Sequence, residues 1–264
     1  MDFRTHTTLG RTGLSVSRLG IASGYDAPSE AVERAFHEHD INTFYWGARR
    51  KSEFGNALKN LCRNNRDRTV VIFQTFDRSG FLMRRFHEKG LRHLSIDCAD
   101  ILILGWANKE PQGRWLETAI RLKEEGKVKF LCVSSHKLHV LGALAAGKNS
   151  PFDVLMVRYN AVHPGAEHNV FSLLPKEDPP GIMTYTATCW GQLLQSSKMP
   201  AGEESLTAAD CYRFSLTNPN VNLCMMGPKT AGELEEGVKA LKLGPLSDDE
   251  MVRARMIGNY IHQK

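Results

Sequence analysis

The sequence predicts an α/β protein, a (β/α)8 TIM barrel with an N-terminal β-hairpin and a C-terminal extra helix. Three observations predict it. Eight short apolar runs recur along the chain, amphipathic segments with helix start and stop signals lie between them, and 264 residues is the size of one such barrel. The runs are RLGIA (18–22), INTFY (41–45), TVVIFQ (69–74), ADILIL (99–104), KFLCVS (129–134), DVLMVRY (153–159), GIMTYT (181–186) and NLCMM (222–226). Each is rich in apolar or β-branched residues, as strands buried on both faces should be. SEAVERAFHEH and SEFGNALKNL open on serine, GRWLETAIRLKEEG ends in glycine, and TAGELEEGVKAL starts at a threonine with acids in its first turns. Strands alternating with helices imply parallel βαβ units. Before the first run, TTLGRTGLSVS reads as a hairpin with a glycine-containing turn. After the eighth unit, LSDDEMVRARMIGNYIH reads as a helix with Ser247 as its cap and Asp248, Asp249 and Glu250 behind it. No linker or low-complexity segment interrupts the pattern, so residues 1–264 read as a single domain.

Composition narrows the function classes. Apolar residues make up 42% and charged residues 24% of the chain, as in a soluble globular protein. The net charge of +5 is spread among acids, with no basic block; small anionic ligands fit it, and nucleic acid is not expected as a partner. No two of the six cysteines form a C-x-x-C pair, so no metal is expected, and Cys132 and Cys224, inside apolar runs, read as small core residues. The start lacks an apolar signal region and no run approaches the ~20 residues of a membrane span. A reducing cytoplasm is therefore the expected home, with no membrane partner. The oligomeric state is left open.

In such a barrel, function collects where the strands end. The segments following the eight runs bring together Tyr45, Arg49, Arg50, Gln74, Ser134, Ser135, His136, Arg158, Asn160, His163, Tyr185, Thr186 and Lys229. Trp46, Trp106 and Trp190 also sit just after strands, where three indoles would either stack on a flat ligand or pack under loops. Gly227, Lys229 and Thr230 stand between the last strand and a helix, a natural phosphate seat. Arg158 and His163 suit an anion or acid–base work, or a hydrogen-bonded loop anchor. His37, His39, His87 and His93 fall on helices and are expected at the surface.

Taken together, LGRTGLSVSRLGIASG, INTFYWGARRKSEFGNAL, EEGKVKFLCVSSH, VRYNAVHPGAE, GIMTYTATCWGQLL and GPKTAGELEEGVKAL, in that order and spacing, resemble the aldo-keto reductase superfamily over nearly the whole chain. The resemblance implies a (β/α)8 barrel with an N-terminal hairpin and NADPH as cofactor. It also implies roles. Ser134 and Ser135 match a Ser-Asn pair that holds the nicotinamide amide. Tyr185, with Thr186 beside it, matches the tyrosine that stacks on the nicotinamide. Trp190, Gly191 and Gln192 match the loop by the pyrophosphate; Gly227, Lys229 and Thr230 match the 2′-phosphate and ribose segment; and Glu236 matches a contact to adenine. Met156 stands where a glutamine usually meets the amide.

The family's catalytic Asp, Tyr, Lys and His are missing by the same register. Their positions fall at Tyr45, near Arg50, at about Thr75 or Phe76, and at Gly105. General acid catalysis is worth roughly 10²–10⁴-fold, so ordinary aldehydes and ketones are not the expected substrates; iminium ions, quinones or polarised C=C bonds remain. The candidate catalytic residues are Tyr45, Arg50 and His136, and the candidate substrate contacts are Trp46, Arg49, Trp106 and Arg158. The leading expectation is an NADP(H)-dependent oxidoreductase acting on an activated or anionic small molecule. The alternatives are a cofactor-binding sensor or scaffold without turnover, and a barrel lyase or isomerase that uses no nicotinamide.

Overall fold

The computed structural model of the chain describes residues 2–25, 27–47, 52–75 and 77–263. Two short antiparallel strands, β1 (Thr7–Thr8) and β2 (Ser15–Val16), form the hairpin. Eight parallel strands then close into a barrel: β3 (Leu19–Ala22), β4 (Thr43–Trp46), β5 (Val70–Thr75), β6 (Ala99–Leu104), β7 (Val128–Ser135), β8 (Val154–Arg158), β9 (Gly181–Tyr185) and β10 (Leu223–Met226). They pair in chain order, and β10 closes the ring on β3 with Met225 beside Gly20. Every expected strand is present, its ends displaced by at most two residues. The surrounding helices are α1 (Ser29–His37), α2 (Ser52–Asn65), α3 (Gly80–Leu94), α4 (Gly113–Glu124), α5 (Leu138–Ala146), α6 (Ala166–Asn169), α7 (Ala208–Thr217), α8 (Ala231–Leu243) and α9 (Asp248–His262). No helix among the described residues is long and apolar enough to cross a membrane.

Alternation along the strands makes two cores. Ile72, Ile101, Ile103, Cys132, Met183 and Leu223 face the barrel axis. Phe44, Phe73, Leu102, Val133, Leu155 and Cys224 face the helices. The hairpin closes the amino end of the barrel: Leu9 and Val16 are fully buried in the inner cluster. Gly10 makes this possible. Its φ is +47°, and a Cβ there would lie 2.2 Å from the backbone nitrogen of Gly181, the first residue of β9. At the far end of the chain, Ser247 Oγ accepts from Glu250 N–H while the Glu250 carboxylate accepts from Ser247 N–H, a reciprocal cap for α9.

Two expectations need correction. His87 is not at the surface: α3 turns it inward, fully buried, with Nε2 2.9 Å from the Lys127 carbonyl oxygen and its ring edge-on to Phe73. Trp46 is not at the rim. It follows the inward-facing Tyr45 by one residue, so it points outward into the helix layer, only 3% exposed, 5.0 Å from the His93 ring and 6.0 Å from Phe73. Gly55 on α2 makes room for it, since a Cβ there would sit 2.4 Å from the indole.

The Gly10 contact yields a direct test. Gly10→Ala combines left-handed strain with a backbone clash and should cost about 2–4 kcal/mol. Chemical denaturation measures it; a loss below about 0.5 kcal/mol would show that the hairpin does not need this close approach.

Candidate active site

At the carboxyl ends of the strands the inward positions form a ring that includes Ala22, Tyr45, Gln74, Ser134, Tyr185 and Gly227. They enclose a cavity of about 370 Å³ whose lining also includes Met156, Met225, Trp106, Trp190 and His136. Tyr45 and Gln74 are joined: the phenol donates to Gln74 Oε1 at 2.5 Å. The inward residue at the end of β5 is therefore Gln74, before the Thr75 or Phe76 expected from motif register; Phe76 lies outside the described residues. Gly105, after β6, adds no side chain, and a Cβ there would lie 1.8 Å from Gln74 Nε2.

Two indoles stand over this cavity. Trp106 and Trp190 have φ of +53° and +54°, a backbone region that bulky residues rarely adopt. They are 52% and 54% exposed. Neighbours hold them there. Trp106 N–H donates to Ser134 Oγ at 3.2 Å, and Arg78 donates to the Trp106 carbonyl at 2.7 Å. Trp190 lies in a left-handed run with Cys189 (φ +49°) and Gly191 (φ +83°), tied by Gly191 N–H to the Thr188 carbonyl at 3.0 Å.

Arg158 ends β8 half-buried, its guanidinium 6.0 Å from the centre of the Trp190 ring. It has no carboxylate partner among the described residues. Its charge is felt across the mouth. Burial, and then Arg158, hold the His136 and His163 imidazoles below the ordinary value of 6.5. Burial pushes the Tyr185 phenol up, and Arg158 opposes that shift. Tyr185 Oη is 3.5 Å from His136 Nδ1. Asn160 is a loop anchor: its Oδ1 accepts from Val162 and His163 N–H, and its amide donates to the carbonyl of Thr186, itself at φ +62°.

A second cavity of about 350 Å³ adjoins the first and shares Tyr25, Trp190, Tyr212, Met226 and Gly227 with it. Gly191, Lys229 and Glu236 line it. Lys229 Nζ is 5.2 Å from the Tyr25 ring centre. The phosphate seat foreseen at the start of α8 is partly filled by the chain itself: Glu233 accepts from Lys229 N–H at 2.8 Å, and Thr230 Oγ1 caps Glu233 N–H at 3.1 Å. Glu236 pairs with Lys239.

The expected site residues thus divide. Tyr45, Ser134, His136, Tyr185, Thr186, Trp106, Trp190, Gly191, Gly227, Lys229 and Glu236 line the two cavities. Ser135 does not: it follows inward Ser134, is fully buried on the outer side, and accepts from Lys137 N–H at 2.9 Å. Gln192, in a short 3-10 turn, Thr230 and Arg158 line neither cavity, although Arg158 lies against Trp190, which lines both. Arg49 and Arg50 lie outside the described residues. Tyr25 and Tyr212 line both cavities without having been singled out. Tyr25 falls in the segment after the first strand and was within reach of the sequence; Tyr212, on the buried helix α7, carried no signal.

Elsewhere, a wider groove of about 1080 Å³ opens at the amino ends of β4 to β6. Its buried Asp100 is already paired with Arg66 and Lys129. Glu38, His39 and Glu235 are the one group of metal-ligating side chains gathered together among the described residues, and Arg34 bridges both carboxylates.

The eight-stranded parallel barrel with its N-terminal hairpin is a fold that this chain shares with solved aldo-keto reductases. The chain superposes on an aldo-keto reductase from Klebsiella pneumoniae in complex with NADP and acetate with a TM-score of 0.76, at 17% identity, over 97% of this chain and 96% of that one. For an aldo-keto reductase from Klebsiella pneumoniae in complex with NADPH the TM-score is 0.73, at 18% identity, over 97% and 95%. For the holo form of an aldo-keto reductase from Bacillus halodurans it is 0.74, at 16% identity, over 96% of each chain. No protein-family model and no curated protein sequence matches the chain. At these identities the likeness is one of fold.

The field of Arg158 is measurable. His136 and His163 favour the neutral form in the folded state, so the stability they contribute is present above about pH 6.5 and is lost as pH falls through their lowered values. Arg158→Met should move both imidazole midpoints upward in an NMR titration. Unchanged midpoints at His136 and His163 would contradict this placement of the guanidinium.

Proposed function

We propose that this chain is an NADP(H)-dependent oxidoreductase with a non-standard active site, acting on an activated or anionic small molecule. The observation that carries the reading is the two-part cleft: two adjoining cavities with a common wall, one on the barrel axis and one beside Lys229. A dinucleotide has two such halves. The residues fit it: Ser134 for the nicotinamide amide, Tyr185 for its ring, Trp190 and Gly191 for the pyrophosphate, Gly227 and Lys229 for the adenosine phosphate, and Glu236 for the adenine. NADPH, when bound, supplies a hydride. Two of the fold neighbours were solved with NADP or NADPH, which supports the choice of cofactor.

The chain's own residues decide the substrate. Gly105 has nothing to protonate with, and the Tyr45 proton is engaged by Gln74. The enzyme therefore favours acceptors that need little acid catalysis. Arg158, without a carboxylate partner among the described residues, suits an anionic group at the mouth; a bidentate guanidinium–carboxylate pair is among the stronger polar contacts. The same engagement of Tyr45 favours a second reading, an NADP(H)-binding sensor or scaffold without turnover. NADPH oxidation against quinones, imines and enones separates the two.

Titration with NADPH should quench the fluorescence of Trp190, and Trp190→Phe should remove most of that signal. Lys229→Ala should weaken NADPH roughly 10-fold or more and NADH little, since a charge-assisted contact is worth about 1.5–3 kcal/mol. No response up to about 1 mM, the top of the usual range, sinks both nicotinamide readings.

A further inference from the structure

We propose that the Gln74 carboxamide polarises the substrate, its Nε2 donating a hydrogen bond to the carbonyl oxygen of an acceptor seated in the cavity, with Tyr45 as the positioning residue that aims it. This deepens the oxidoreductase reading and rests on it for the identity of the acceptor as substrate.

Gln74 carries a donor with no partner among the described residues. Gln74 is 3% exposed, at the inward end of β5. Buried amides normally find partners for both ends. Here only the oxygen does, accepting from Tyr45 at 2.5 Å. The nitrogen bonds to no group among the described residues, yet it is not one of the nitrogens sealed from solvent without a partner. Its N–H groups therefore open on the cavity that Gln74 lines.

Space is the second part. A Cβ at position 105 would stand 1.8 Å from Nε2 and 2.6 Å from Cδ. The amide occupies the volume that any side chain at the end of β6 would claim, and glycine is what admits it. Gly105 does not need its backbone freedom, because its φ is not in the left-handed region. What it supplies is room.

The chemistry follows. A carboxamide N–H is a fixed, neutral donor. It stabilises negative charge gathering on an oxygen and transfers no proton. Removing one such donor costs about 10²–10³-fold in rate. Acceptors whose oxygen can carry charge as an enolate or hydroquinone anion are served by it, and simple aldehydes are served poorly. The class is conjugated carbonyl compounds, enones and quinones.

The test does not depend on turnover. Cyclohex-2-enone is added to the protein with excess NADP+, which cannot donate hydride, and the bound carbonyl stretch is read by infrared difference spectroscopy. Wild type should lower the stretch. Gln74→Leu should abolish the shift, and so should Gly105→Ala, which keeps the amide but displaces it; thermal melts verify that both variants fold. Gln74→Glu should show no shift at neutral pH and regain it as the acid form returns at low pH, which a merely structural role would not produce. Tyr45→Phe should weaken the shift. With NADPH, Gln74→Leu should lower kcat for the enone about 100-fold or more. No shift in wild type at the solubility limit of the probe, or an equal shift in Gln74→Leu and Gly105→Ala, overturns the proposal. Tryptophan fluorescence on the same samples reads NADP+ binding separately: a shift without an NADP+ response removes the cofactor reading and leaves Gln74 in place, and an NADP+ response without a shift does the reverse.

Discussion

In a closed eight-stranded barrel every second residue of a strand faces the axis. The last inward residue of each strand therefore joins one ring at the carboxyl end, and its sequence neighbour is sent into the helix layer. This parity settles the mouth of the molecule. Tyr45 faces the cavity while Trp46 is packed against Phe73 and His93. Ser134 faces the cavity while Ser135 is buried behind it. Gln74 faces the cavity while Phe73 lies in the outer core. A shift of one residue would put Trp46 in the place of Tyr45, or Phe73 in the place of Gln74.

The rest of the site is held by interactions that work against local preference. Two tryptophans adopt left-handed backbone, at a cost of order 1–3 kcal/mol each, and both are kept exposed above the cavity. Arg158 stands half-buried beside Trp190 with no carboxylate partner among the described residues. Gln74 leaves its nitrogen open to the cavity. Local rules broken without an evident structural gain gather at functional sites, and here they gather around one cavity.

The sequence made much of this legible. The eight strands, the hairpin, the cap at Ser247 and the boundary residues of the cleft could be read from apolar runs and punctuation, because those signals are local. Three things were not legible. Parity at a strand's end depends on where pairing stops, and strand ends wander by a residue or two; that is why Trp46 was placed at the rim and Gln74 received no role. Helices buried on most sides carry no 3.6-residue stripe: α5 and α7 are largely apolar or covered, so Tyr212 could not be foreseen as part of the cleft. Side chains that satisfy the backbone from a distance are invisible in a motif. Glu233 takes the N–H of Lys229 and so occupies part of the seat that the motif promised to a phosphate.

A crystal structure of the chain grown with NADP+ is the decisive measurement. The nicotinamide should lie on the barrel axis beside Tyr185 and Ser134, its C4 facing a space where a reacting atom would sit within about 3.5 Å, the near-attack distance, and in reach of Gln74 Nε2, with the adenosine end beside Lys229. A dinucleotide seated elsewhere, such as the groove at the amino ends of β4 to β6, or running through the mouth with its nicotinamide away from Gln74, would contradict it.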